Sequence, residues 1–200
     1  MLVPEEAASV RTASLNQSSE EVAEPASVKV SSPVCYASEA SDAYMGYLDR
    51  DSLVTELNIL LEAERAGARV AVRLVSDADR PELKALAQAI QRDEVRWCKM
   101  LIGALQTLEA TPSKAVGGFY DQAMAIPDVV ARFAFVNRGQ AWVVRKLKTL
   151  LPKVRADRLH ADLLGMLAAH DHNITRAETA LLGLAQAGPR PGAQASSPES

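Results

Sequence analysis

The chain has 200 residues, 48% hydrophobic, 24% charged and 4% aromatic, with a net charge of −3. It can therefore bury a core, and wholesale disorder, collagen-like repeats and disulfide scaffolds are excluded. The near-neutral balance, with a pI near 5.7, gives no global argument for nucleic acid or a membrane surface, and two cysteines, Cys35 and Cys98, are too few for a secreted framework or a zinc site.

Residues 1–48 are rich in Ser, Ala, Glu, Val and Pro without sustained periodicity and read as an acidic, largely disordered tail. Within it Tyr36, Tyr44, Met45 and Tyr47 form a cluster expected to lie on the folded part. No basic residue precedes Arg11 and no long uncharged apolar run occurs, so the expectation is a cytoplasmic chain without a signal peptide or membrane span. The folded domain is expected over 49–186. Its first helix spans about 51–76, with Asp51 or Ser52 as N-cap, and the second starts at Pro81 and ends before Thr111-Pro112. A third helix starts at Pro127-Asp128 and fades before Pro152, and a fourth spans about 157–185. Residues 187–200 are Pro-, Gly- and Ser-rich and read as a second disordered tail.

The links between helices one and two and between three and four are short, which makes two antiparallel hairpins. The connection over about 110–126 is long enough to run the length of the helices and has room for a short helix around 116–125. The expected fold is all-α: a four-helix bundle of two antiparallel hairpins joined by a long crossover.

Placed at 100° per residue, each helix shows an apolar stripe with one polar interruption. Leu53, Leu57, Leu60, Ala68, Ala71 and Val75 surround Glu64. The second stripe, Leu83, Ala87, Ile90, Trp97, Cys98, Leu101, Leu105 and Leu108, surrounds Glu94. Gln140 interrupts Val129, Phe133, Val144, Leu147 and Leu151, with Asn137 at the margin. His170 interrupts Leu159, Leu163, Leu167, Ile174, Ala177, Leu181 and Leu184. Glu62 and His172 face away. All four interruptions are mid-helix, so hairpin pairing brings Glu64, Glu94, Gln140 and His170 to one level as a buried polar layer. Two buried carboxylates need a metal, another cation, an extra proton or a dense set of donors, and His170 is the natural partner.

The positions Glu64, Glu94-Val95-Arg96-Trp97, Gln140 and His170-Asp171-His172-Asn173 resemble the ligand pattern of the ferritin-like superfamily: Glu, Glu-x-x-His, Glu, Glu-x-x-His. The resemblance covers about 50–185. Through LLEAERAGA, RDEVRWC, NRGQAW and HDHNI it is closest to an uncharacterised bacterial ferritin-like family with a degenerate di-iron motif. It implies Glu64, Glu94 and His170 as a two-carboxylate, one-histidine set for a single iron or manganese, with open positions for water or oxygen. Trp97, Gln140 and Asn173 stand where further ligands would be. The competing reading, preferred on sequence because Trp cannot ligate, hydrogen-bonds His170 between the two carboxylates, with Gln140 completing the network and Trp97 filling the vacated volume. The expectation is a non-catalytic binding, regulatory or scaffolding protein, and the alternative is an iron-dependent oxidoreductase or iron-binding protein using the reduced site.

Between Arg132 and Arg158 eight bases face one acid, and Arg132, Arg138, Arg145, Lys146 and Lys148 are expected as a basic surface for an acidic or anionic partner. It has no aromatic platform of the nucleic-acid type. Phe135 and Trp142 form a second apolar face on the third helix. Its cover is the Tyr36–Tyr47 segment, the 110–126 connection or a second subunit of a homodimer. Gly139, costly inside a helix, points to close approach of another helix backbone. There is no phosphate-binding loop, no G-x-S-x-G and no nucleophile beside a base, so no catalytic residue is assigned; Cys98 reads as a core thiol.

Overall fold

The computed structural model describes residues 44–187, and the readings made for residues 1–43 and 188–200 lie outside them. Helix α1 (Arg50–Asp77) begins at Asp49, whose carboxylate accepts from the Ser52 amide at 2.9 Å and from the Ser52 hydroxyl at 2.8 Å. This N-cap falls before the expected Asp51 or Ser52, because Asp49 stands three residues before the Ser52 amide that it accepts from. Helix α2 (Pro81–Thr107) starts on its proline. Beyond its end Glu109 adopts a left-handed φ of 53°, and the Ala110 and Glu109 amides donate to the Leu105 and Gln106 carbonyls, each at 2.9 Å. Arg50 donates to the Leu108 and Glu109 carbonyls, tying the start of α1 to the end of α2.

Helix α3 (Phe119–Met124) is the short helix expected inside the connection. Helix α4 (Val129–Leu150) is capped by Asp128, which accepts from the Ala131 amide at 2.6 Å. It runs through a 3₁₀ turn at Leu151–Lys153 toward α5 (Asp157–Ala187). Among the described residues the chain is all-α, with α1 antiparallel to α2 and α4 antiparallel to α5 in a bundle-like arrangement. No described helix is long and apolar enough to cross a membrane.

Helices α1 and α4 also run in opposite directions. Arg132, near the start of α4, pairs with Asp77 at the end of α1, and Lys146, near the end of α4, pairs with Glu56 at 2.9 Å. The 108–128 connection climbs between these ends. The Ser113 amide donates to Asn58 at 2.7 Å, its hydroxyl donates to Glu62, and its carbonyl accepts from Arg65. Higher up, Phe119 lies on Gly139, and the Ile126 carbonyl accepts from Arg132 at 2.8 Å. Glu62 therefore faces away from the core, as expected, but anchors the connection.

The core falls into two apolar clusters. One gathers Leu53 to Leu61, Trp97 to Leu105, Val143 to Val154, Leu163 and Met166; the other gathers Val70 to Ala78, Leu83 to Ile90, Ala123, Phe133, Val136 and Ala177. On every long helix the gap between the clusters is the polar position expected from sequence. The stripes themselves are rotated slightly: Leu61, Val70, Leu74 and Met166 are fully buried, whereas Ala68, Val75, Leu108, Val129 and Ile174 are only half-buried.

Of three further expectations, two are corrected and one is met by one of its alternatives. Gly139 is needed for a side chain rather than a helix backbone, since a Cβ there would lie 2.6 Å from the Phe119 ring. Phe135 is covered by the 110–126 connection, one of the three covers expected, through Phe119 stacked at 4.8 Å, whereas Trp142 stays 38% exposed. Of the aromatic cluster before α1, Tyr36 is outside the described residues, Tyr44 and Met45 are exposed, and only Tyr47 is partly covered; the segment docks instead through Leu48, whose amide donates to the Lys153 carbonyl at 3.0 Å.

Candidate metal centre

Glu64 of α1, Glu94 of α2, Gln140 of α4 and His170 of α5 meet between the two apolar clusters, with exposures of 0%, 3%, 5% and 1%. One ligand atom from each of Glu64, Glu94 and His170 lies within 4.8 Å of the others. Donors sharing an ion at about 2.1 Å from each stand roughly 3–4 Å apart, so small side-chain movements close this triad.

The surroundings aim these atoms inward. His170 Nδ1 donates to the Met166 carbonyl one turn back at 3.0 Å, which leaves Nε2 to carry the lone pair that faces Glu64. Gln140 Nε2 donates to Glu94 Oε1 and fixes that carboxylate from the α4 side. From the α1 side Glu94 rests on Gly67: a Cβ at this position would lie 2.7 Å from its carboxyl carbon and Oε2 and 2.8 Å from Oε1. Sequence reasoning missed Gly67, because its signal, a small residue one turn from Glu64, acquires meaning only once α2 is placed. Asn173, which the resemblance set at a ligand position, is 2% exposed and donates instead to Asp93 at 3.0 Å.

Part of the closed network expected on sequence is present: Gln140 donates to Glu94, and a retained proton hydrogen-bonds the Glu64 and Glu94 carboxyls to each other. Once that proton is lost, no protein donor among the described residues serves either Glu64 oxygen, and His170 Nε2 stands 3.3 Å from Glu64 Oε1. Buried polar atoms are normally satisfied, and leaving one unmet costs about 1–3 kcal/mol. Trp97 does not help: it packs in the leucine cluster, and its indole N–H has no acceptor among the described residues. Burial pushes the Glu64 carboxyl up to about 8, and burial together with the neighbouring Glu64 charge raises Glu94 well above the ordinary carboxylate range. Once both carboxyls lose their protons they carry a charge of −2, which one divalent cation cancels. The donor set of two carboxylates and one imidazole suits iron or manganese.

A cavity of about 550 Å³ lies on the α3–α4 side, with Glu64, Glu94 and Gln140 among its lining residues. Of the expected basic surface, Arg138, Arg145 and Lys148 are exposed and Lys146 is half-buried against Glu56. Arg132 is corrected: at 6% exposure it is an interior residue held by Asp77 and the Ile126 carbonyl. The Cys98 thiol is half-buried and unpaired, and burial pushes it up to about 12, which suits packing rather than nucleophilic chemistry.

One protein-family model, described as a domain of unknown function (DUF6306), matches residues 51–180, a span that contains all four residues of the polar layer. No curated protein and no solved structure matches the chain significantly.

Proposed function

The chain belongs to the DUF6306 family, and from that premise we propose that it is a ferritin-like metal-binding bundle holding one divalent ion, iron or manganese, on Glu64, Glu94 and His170. The observation that carries this reading is the convergence of three buried ligating groups, in which neither oxygen of Glu64 receives a protein donor among the described residues once the carboxyls are ionised. A closed network of imidazole between carboxylates would satisfy them internally; a cation satisfies them together and offsets the charge that makes the layer costly. Gln140 and Gly67 orient Glu94, and the Met166 carbonyl holds His170 in the tautomer that presents Nε2.

Bound iron would supply Lewis-acid or redox chemistry, and the cavity that both carboxylates help to line favours an oxidoreductase as the second reading. Metal analysis after anaerobic reloading of chelator-stripped protein with iron(II) or manganese(II) tests the first. The expected result is one ion per chain in the native sequence and none in Glu94→Ala or His170→Ala. A native chain that retains no ion would instead make the layer a register-fixing device of a scaffold.

A further inference from the structure

The cavity beside α3 and α4 is built asymmetrically. Its buried end is formed by Glu64, Glu94 and Gln140 and its walls by Phe119, Phe135 and Val143, while the exposed residues lining it include Arg138, Trp142 and Arg145. Positions 138, 142 and 145 follow helical spacing, so one face of α4 presents guanidinium, indole and guanidinium in sequence along the opening. Neither Arg138 nor Arg145 enters an ion pair among the described residues. Arg138 instead lies over the Phe135 ring at 5.4 Å, its guanidinium stacked on an aromatic wall. The one further carboxylate in the lining, Glu62, accepts from the Ser113 hydroxyl. The volume is that of a small-molecule site, with apolar walls and few polar groups.

We infer that this cavity binds a small organic anion, a carboxylate on an aromatic body, with its acidic group held by Arg138 and Arg145 and its ring against Trp142, beside the stacked Phe119–Phe135 pair. The charges fix the direction of entry. Arg138 and Arg145, exposed at the mouth and outside any ion pair among the described residues, attract the anionic head there, so the apolar body points inward along the apolar walls. Gly139 contributes by letting the Phe119 ring lie flat against α4 as one wall; a Cβ there would meet that ring at 2.6 Å. The inference rests on the proposed metal centre only for what the inward end of the ligand would face.

The test uses metal-stripped full-length chain titrated calorimetrically with 4-phenylbutyrate and with its neutral amide. The carboxylate is expected to bind about tenfold more tightly than the amide, and the exposed double variant Arg138→Gln/Arg145→Gln to lower its affinity to the amide's level while leaving the amide unchanged. Equal binding of the two compounds, or an unchanged carboxylate affinity in the double variant, overturns the inference. Repeating the titration on Glu64→Gln separates the two proposals. Charge-selective binding in this metal-site variant supports the anion site by itself, and its loss there overturns it; the metal reading is refuted only by a native chain that takes up no iron or manganese.

Discussion

Replacing Gly67 with alanine separates metal binding from stability. The added methyl would stand 2.7 Å from the Glu94 carboxyl carbon, about 0.7 Å inside an ordinary contact of roughly 3.4 Å. The α1 backbone cannot yield, so the carboxylate must. Glu94 is also held by Gln140, and its displacement draws one of three donors out of the triad. Loss of an orienting group of this kind costs about 10–100-fold in metal affinity. Folding stability should hardly change, because Ala gains about 1 kcal/mol over Gly in a helix while an off-rotamer Glu94 costs about 0.5–1.5 kcal/mol. Gly103→Ala is the control: nothing lies within 4 Å of its Cβ position on α2, so it should gain stability without altering metal affinity. Competition against a chromophoric chelator gives the affinity and urea unfolding gives the stability. A Gly67→Ala protein that binds iron or manganese as tightly as the native chain would refute the placement of Glu94 as a ligand.

Two other predictions test the interior. Because burial raises the Glu64 carboxyl from 4.5 to about 8, the folded chain retains a proton that the unfolded chain has lost between those values, and metal-free stability falls as pH rises through that window. The full effect is at most on the order of 5 kcal/mol. It appears in urea midpoints as a downward slope that Glu64→Gln reduces and added metal reverses, and a metal-free native chain with the same slope as Glu64→Gln would contradict it. Arg132→Ala strips Asp77 and the Ile126 carbonyl of their guanidinium partner. It should cost about 2–3 kcal/mol in thermal or urea unfolding, whereas Arg145→Ala, on the exposed side of the same helix, should cost under about 0.5 kcal/mol.

The long helices were legible because each carries 3.6-residue periodicity and ends at proline, aspartate or glycine. The polar layer was legible for a related reason: a carboxylate in the centre of a leucine and alanine stripe is a local signal, and hairpin geometry sets its height. Asp49, not Asp51 or Ser52, caps α1 by accepting from the Ser52 amide and hydroxyl. What else remained hidden is nonlocal. Arg132 belongs to a basic run in sequence, yet the end of α1 places Asp77 against it and draws it inside. Gly139 and Gly67 differ from other helix glycines only through Phe119 and Glu94, which arrive from elsewhere in the chain. The sequence also could not show that His170 spends its Nδ1 hydrogen on Met166. That choice leaves Nε2 as the ring nitrogen that faces Glu64, 3.3 Å from its Oε1.

The most direct measurement is anomalous diffraction at the iron and manganese edges from crystals of the reloaded protein. The account predicts one anomalous peak between the two apolar clusters, about 2.0–2.3 Å from a carboxylate oxygen of Glu64, a carboxylate oxygen of Glu94 and Nε2 of His170. A peak elsewhere, or no peak with His170 hydrogen-bonded between protonated carboxyls, would contradict it.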